Sequence, residues 1–304
     1  MIMPTLTPKL PSWFKQAIPD MNKVREVKNF LTEAGLSTVC QSARCPNLGT
    51  CWQQKVATVM ILGDVCTRGC RFCAVNVGSP RAVDRDEPQR VARAVRDLGL
   101  RYVVVTSVTR DDLSDGGAEQ FRRTIQAIRA LVPAIKIEVL VPDFQGDIES
   151  LKTVLSAAPD VLAHNLETVP RISPAIRATA DYERSLELLE RTKQSASTVL
   201  SKSGIMVGLG ESFDEVVAAM TDLRSVDCDI LTIGQYLSPS ESARHVPVAR
   251  FVDPAEFDEY RRLGEVMGFR SVKSGPLVRS SFLAEEGYHG CISAKADRGL
   301  PHGS

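Results

Sequence analysis

Six of the eight cysteines fall between positions 40 and 73, in two sets of three. Cys66, Cys70 and Cys73 lie in CTRGCRFC, with three and then two residues between them, while Cys40, Cys45 and Cys51 lie in CQSARCPNLGTC, with four and then five. Cysteines bunched in this way in an intracellular chain point to metal or redox chemistry rather than to disulfides. Iron–sulfur clusters are held by thiolates, and a cubane offers four iron corners for ligation. A triplet fills three corners and leaves one iron open, and an open metal position is where a small molecule binds and is activated. The other reading of CTRGCRFC is a structural zinc site or buried cysteines, although zinc usually takes paired Cys-x2-Cys units. The two triplets either share one site or hold one each, and their different spacings favour two clusters. Cys228 and Cys291 stand alone and read as small buried hydrophobes.

Several elements must position these residues. Residues 4–19 carry prolines around Trp13 and Phe14 and read as an extended arm on the body. A short helix follows, capped by Asp20, with Val24, Val27, Phe30, Leu31 and Ala34 on one face and Gly35 where it ends. From residue 55 the pattern is regular. Apolar, β-branched runs begin at 56, 102, 135, 161, 204 and 230, and amphipathic helical patterns lie near 86–98, 118–131, 147–157, 181–194, 212–224 and 254–267. Alternation of this kind predicts a parallel sheet with helices outside. Six such units are too few for a closed eight-strand barrel, so the expected fold is α/β, an incomplete (β/α)6 barrel of TIM type with N- and C-terminal extensions. The expected divisions are 1–54, carrying the first triplet, 55–270, the partial barrel, and 271–304, ending in a polar tail after 283. In a barrel the loops at the C-terminal ends of the strands build the active site. Here those loops carry DVCTRGCRFC, TRDDLSDGG, HNLETV and GLGE.

Composition excludes some classes. Hydrophobic content of 43% suits a chain with a large core, and 37 basic residues balance 37 acidic ones. Nothing in that balance points to nucleic acid or an anionic membrane. No run of about eighteen apolar residues suggests a membrane span, and the first residues lack the pattern of a secretory leader. The expected location is the cytoplasm.

Cys-x3-Cys-x-aromatic-Cys after the first strand of such a repeat resembles the signature of the radical S-adenosylmethionine (SAM) superfamily, with Phe72 at the aromatic position. The second triplet, Cys-x4-Cys-x5-Cys, resembles the lipoyl synthase family within it. So do TSVTRDDLSDGGAEQF, HNLETVPR, ADYERSLELL, KSGIMVGLGE, LTIGQYLSPS and GFRSVKSGPLVRSSF, and the likeness covers roughly residues 10–283. The resemblance implies a SAM-binding 4Fe-4S cluster on Cys66, Cys70 and Cys73 and an auxiliary 4Fe-4S cluster on Cys40, Cys45 and Cys51. The fourth auxiliary iron then takes a serine from an Arg-Ser-Ser-aromatic motif, here Arg279, Ser280, Ser281 and Phe282, with Ser281 as the ligand and Ser280 its neighbour. Phe282 stands where the family usually has tyrosine, so a hydroxyl is lost there. A hydroxyl oxygen matches sulfide-bound iron less well than thiolate does, as suits an iron that must be released.

For SAM itself the resemblance implies backbone contacts at Asp115, Gly116 and Gly117, where the superfamily has Gly-Gly-Glu; Ala118 replaces the glutamate. It also implies ribose or amino-acid contacts at Asn165 and Glu167, and packing of the adenine by GIMVGLGE, including Gly208. Lys202 and Arg177 either face the SAM carboxylate or cap a helix, and His164 reads as a hydrogen-bonding core residue. The implied reaction inserts sulfur at C6 and C8 of an octanoyl chain, by way of 5'-deoxyadenosyl radicals, at the expense of the auxiliary cluster. The implied partners are an octanoylated lipoyl carrier domain (glycine-cleavage H protein or 2-oxoacid dehydrogenase E2) and a ferredoxin or flavodoxin. Two other readings stand beside it: a non-enzymatic iron–sulfur electron carrier, and a radical SAM sulfur-inserting enzyme acting on a free molecule such as dethiobiotin.

Overall fold

The computed structural model describes residues 10–53, Val56 and residues 58–297. Residues 1–9 of the expected arm and the last residues of the expected tail, 298–304, lie outside them. Strands β1 (Ser37–Thr38), β2 (Thr58–Ile61), β5 (Tyr102–Ser107), β6 (Lys136–Leu140), β7 (Val161–Ala163), β8 (Leu200–Val207), β9 (Ile230–Gln235) and β10 (Ser271–Gly275) form one sheet in that order. Only β1 runs antiparallel to its neighbour; every pairing from β2 to β10 is parallel. β1 and β10 are both edges, so the sheet is an open barrel wall. The short parallel pair β3 (Val65–Cys66) and β4 (Asn76–Val77) flanks the cysteine loop after β2.

Helices α4 (Glu87–Asp97), α5 (Ala118–Leu131), α6 (Ile148–Leu155), α8 (Tyr182–Ser195), α9 (Phe213–Ser225) and α10 (Pro254–Val266) make the crossovers that parallel strands require. They follow the expected segments to within about two residues, the usual uncertainty of a helix end. Their starts are built from acceptor side chains. Asp147 accepts from Glu149 and Ser150 N–H, Asp181 from Arg184 N–H, and Ser212 and Glu215 form a reciprocal capping box. Strands β2 and β9 are buried along their whole length, as in a sheet covered on both faces.

The ends hold the additions. Helix α1 (Met21–Glu33) buries Val24, Val27 and Leu31 under an Asp20 cap, and Gly35 (φ +61°) ends it. The arm residue Phe14 packs edge-on to Phe251 at 5.6 Å. The short helices α2 (Val39–Ser42) and α3 (Leu48–Gln53) carry the first triplet, and α7 (Ser173–Ile176) sits in the loop after β7. The sheet does not stop at residue 270, since β10 extends it by one more parallel strand. Nor is the segment after 283 a loose tail: α11 (Ala284–Asp297) buries Tyr288 and Cys291 against Tyr102, Val161, Leu200 and Ile230, which are strand starts. It therefore closes the N-terminal mouth of the barrel.

Candidate active site

A cavity of about 570 Å³ opens at the C-terminal ends of the strands, and its wall includes Cys40, Cys45, Cys66, Cys70, Cys73 and Ser281. A smaller hollow of about 20 Å³ adjoins it, lined by Cys40, Cys45, Cys51, Arg279, Ser281 and Phe282. The chain thus brings both triplets and the C-terminal serine, distant in sequence, to one place.

The loop of the second triplet is held by its backbone. Gly78 N–H donates to Cys66 O (3.1 Å), Thr67 N–H to Thr109 O (3.0 Å) and Arg71 N–H to Ile176 O (2.8 Å). Arg68 N–H donates to the Cys66 sulfur at 3.4 Å. The Arg68 side chain, 6% exposed, pairs with Asp111 through Nε and with Asp143 through Nη2, both at 2.7 Å, and Arg184 also donates to Asp143 at 3.2 Å. Burial would raise the Asp143 carboxyl, but the Arg68 hydrogen bond and charge outweigh it and hold it at about 2. This network escaped the sequence reading; its signal was the arginine inside the cysteine loop together with the acidic run TRDD.

Burial pushes the thiols up: Cys70 is raised, with Glu167 and Cys66 adding repulsion, and Cys73 reaches about 11. In the first triplet burial raises Cys40, and burial with the neighbouring Cys40 and Cys45 charges takes Cys51 to about 12. The thiols of each set are close enough that their thiolates would repel one another, so they stay neutral until a cation displaces the protons. Among the described residues no three His, Cys, Asp or Glu side chains converge closely enough to hold a single ion. A cubane is ligated at separate iron corners, so it suits thiols gathered around a volume rather than a point. The buried indole N–H of Trp52 faces the Cys40 sulfur without a formed hydrogen bond to the neutral thiol, and a thiolate or sulfide there would accept from it.

The strand expected through Glu167 breaks after Ala163 and rejoins β8 at Glu167, which pairs with Ile205. Glu167 takes φ +67°, and the irregular stretch brings Asn165 and Glu167 to the cavity wall. Asn165 Nδ2 donates to Glu167 Oε1 at 3.1 Å, while its Oδ1 is buried without a partner. Burial raises the Glu167 carboxyl. Arg177 also lines the cavity; Nη2 donates to Ser185 Oγ at 2.9 Å, and Nη1 is buried and unpartnered. His164 Nδ1 lies 2.8 Å from Val141 O, which can only accept, so Nδ1 carries the proton; Nε2 lies 3.0 Å from Ser185 Oγ, whose one proton is shared between it and Asp181 O at 2.8 Å. Burial, with the Arg177 charge beside it, holds this histidine neutral, at about 4. Phe72 lines the cavity as expected.

Five residues expected at SAM, Lys202, Asp115, Gly116, Gly117 and Gly208, do not line this cavity. The Lys202 side chain is 2% exposed and ion-paired with Glu138 at 2.7 Å, and Tyr102 donates to the same carboxylate at 2.6 Å. It serves the closed end of the barrel because β8 starts at Leu200 and position 202 lies at that end. Asp115 accepts from Gly117 and Glu119 N–H (2.9 Å each) at the start of α5. Gly117 (φ +90°) is packed so closely that a Cβ there would lie 2.3 Å from Leu62, and none of residues 115–117 lines the cavity. From this side the cavity wall comes instead from Thr106–Thr109. Gly208 (φ +99°) is likewise outside it, where a Cβ would lie 2.0 Å from Gln235 Nε2. Its N–H donates to Glu211 at 2.6 Å, so the glycine pattern serves a tight turn.

Residues 60–223 match the model of the radical SAM superfamily. A lipoyl synthase of Rubrobacter xylanophilus is 55% identical over 276 residues, 91% of this chain and 85% of that protein. One from Caldanaerobacter subterraneus is 53% identical over 284 residues, covering 93% and 98%. The chain belongs to the lipoyl synthase family of radical SAM enzymes. Among solved structures, a methylornithine synthase superposes with TM-score 0.54 at 14% identity, over 90% of this chain and 82% of that one. A maturase of the [FeFe]-hydrogenase gives 0.56 at 13% identity, over 77% and 55%. These two likenesses carry the fold alone. Membership of the family brings SAM and a 4Fe-4S cluster, and the orphaned Asn165 Oδ1 and Arg177 Nη1 offer a bound molecule one acceptor and one donor. No helix among the described residues is long and apolar enough to cross a membrane.

Proposed function

We propose that the chain inserts two sulfur atoms, at C6 and C8, into an octanoyl group carried on a lysine of a lipoyl carrier domain, of the glycine-cleavage H protein or 2-oxoacid dehydrogenase E2 class. The observation that carries the reading is the common cavity, walled by thiols of both triplets and by Ser281. Cys66, Cys70 and Cys73 hold the SAM-binding cluster; Cys40, Cys45, Cys51 and Ser281 hold an auxiliary one. When bound, these groups supply the electron that cleaves SAM to methionine and a 5'-deoxyadenosyl radical, and the sulfide that ends on the octanoyl carbon. The electron comes from a ferredoxin or flavodoxin.

The chain's own residues bind, orient and exclude water. Arg177 presents a guanidinium to the SAM carboxylate, Asn165 and Glu167 face its ribose or amino group, and Phe72 packs beside it. The raised Glu167 carboxyl accounts for a proton that can be kept or shed as a cation arrives. His164 is the neutral link between Ser185 and the β6 end, fixing Arg177 through Ser185. Arg279 is half-buried near Cys45 and donates to Val278 O at 2.6 Å, and so orients the serine loop. The segments on either side of the sheet that carry Cys40, Cys45 and Cys51 and, after β10, Ser281 bring the auxiliary ligands to the barrel mouth. Held geometry gives the selectivity, since a primary radical attacks many C–H bonds.

The deciding experiment is anaerobic reconstitution with SAM, reductant and an octanoylated carrier peptide, read by mass spectrometry. Two sulfurs gained on the peptide are expected. 5'-Deoxyadenosine without sulfur on the peptide would reject the substrate, and iron without 5'-deoxyadenosine would reject the radical chemistry.

A further inference from the structure

The chain between β9 and α10 has no helix or strand from Tyr236 to Val246, yet it is tied to both cysteine triplets. At its base Tyr236 OH donates to Val246 O (2.7 Å), which closes the loop into a compact unit. Inside it Ser238 Oγ donates to Ser240 O at 2.8 Å, and Ser240 Oγ lies 2.7 Å from His245 Nδ1. On one side it grips the radical-generating triplet. Val246 N–H donates to Arg71 O (3.0 Å), His245 Nε2 to Cys73 O (3.0 Å), and Arg244 Nη2 to Val75 O (2.9 Å). Because the Cys73 carbonyl only accepts, His245 carries its proton on Nε2 and takes the Ser240 hydroxyl at Nδ1. On the other side a hydrogen bond reaches the first triplet: Arg44, next to Cys45, donates from Nη1 to Pro239 O at 3.1 Å. Arg44 holds φ +50°, a region disfavoured for a residue with a Cβ, so the backbone before Cys45 adopts an uncommon conformation where this contact is made.

We infer that the loop Tyr236–Val246 is a spacer that sets the separation of the two cysteine loops, with Arg44 as the positioning residue on the auxiliary side. The inference rests on the two-cluster reading proposed above. Tyr236, Leu237, Ser238 and Pro239 form part of the wall of the cavity that both triplets line, so a change in the loop's seating alters the space that the substrate carbon must cross. The seating is unequal. Donors from three consecutive residues, Arg244, His245 and Val246, fasten the loop to the segment Arg71–Val75, whereas a side-chain hydrogen bond fastens it to the first triplet. Loss of the Arg44 contact therefore leaves the radical-generating side intact and removes one tie from the auxiliary side, which Asn47 still fastens to Leu277 O at 2.7 Å.

The test compares Arg44→Ala and Arg44→Lys with the parent, as full chains loaded anaerobically with iron and sulfide. Two readouts are needed: magnetic dipolar coupling between the reduced clusters by pulsed electron paramagnetic resonance, and the ratio of 5'-deoxyadenosine to thiolated peptide. Arg44→Ala is expected to keep about eight irons per chain, the content of two cubanes, and to broaden the dipolar distribution. Its product ratio is expected to rise about fivefold, the effect of one ordinary hydrogen bond on a rate. Arg44→Lys, which keeps a donor, is expected to restore both toward the parent. An unchanged dipolar distribution in Arg44→Ala overturns the inference, even with an altered product ratio, because Arg44 would then act on substrate. Loss of iron from Arg44→Ala alone also overturns it, since Arg44 would be holding the cluster rather than spacing it. About four irons in the parent sinks the two-cluster reading itself.

Discussion

Asp143→Asn removes a charge from a carboxylate whose side chain is fully buried and which takes Arg68 at 2.7 Å and Arg184 at 3.2 Å. Neutralising this partner leaves the buried Arg68 with Asp111 alone, at 2.7 and 2.8 Å, so the cost stays below the about 3–5 kcal/mol of a buried charge with no partner. A lower bound comes from linkage. The carboxyl sits at about 2 rather than 3.8, and a shift of nearly two units corresponds to roughly 2 kcal/mol. The group's folded value is depressed, so this stability is fully present above pH 3.8 and is lost as pH falls toward 2. For a chain of this size about 2 °C of melting temperature accompanies each kcal/mol, so Asp143→Asn should melt about 4–6 °C below the parent when followed by circular dichroism. The companion Arg68→Met in the same background should recover part of the loss, because the buried guanidinium short of one carboxylate is gone and the Asp111 it leaves is partly exposed. A drop under about 1 °C for Asp143→Asn, or no recovery in the double variant, would refute the account of Arg68 as a charge held by two carboxylates.

Acid should weaken the fold through His164 as well. Its folded value lies at about 4 against an ordinary 6.5, so its contribution is full above pH 6.5 and fades as pH falls toward 4. The loss is up to about 3 kcal/mol, and His164→Gln should flatten denaturant midpoints measured across that window. Ser281→Ala should leave SAM cleavage largely intact while reducing lipoyl product, whereas Cys70→Ala should abolish 5'-deoxyadenosine; equal lipoyl product from the serine variant would remove Ser281 from the ligand set. Lys202→Met should leave SAM affinity by calorimetry unchanged and destabilise the chain by about 3–5 kcal/mol, because it strands Glu138 in the core. A tenfold loss of SAM affinity would instead return Lys202 to the cofactor.

The barrel units were legible because each is a local pattern. The runs from 102 and 230 are rich in apolar and β-branched residues without strict alternation and the segments between them repeat at helical spacing, so burial on both sheet faces follows without knowing which strands pair. Both cysteine triplets were legible for a similar reason: residues three to six apart stay neighbours in whatever fold contains them. Three features were not local. Whether Lys202 meets a cofactor or Glu138 depends on where along β8 the cavity floor lies, and the register with β7 and β9 puts position 202 at the closed end. Asp115–Gly117 looked like a SAM-binding turn, but the close approach of Leu62 and Phe144 uses both glycines for packing. The segment after 283, polar enough to suggest a loose tail, is helical because Tyr288 and Cys291 find an apolar floor made by strand starts from four different units.

The sequence by itself determined the repeating strand-helix units, the two thiol triplets and their shortage of a fourth ligand, because these follow from composition and spacing within short stretches. Only the tertiary structure decided that both triplets and Ser281 border one cavity, that Arg68 lies between two carboxylates, and that a loop after β9 reaches both cysteine loops. Those contacts join residues separated by up to about two hundred positions, such as Arg44 and Pro239, and their existence depends on strand order and register, which no short stretch of chain encodes.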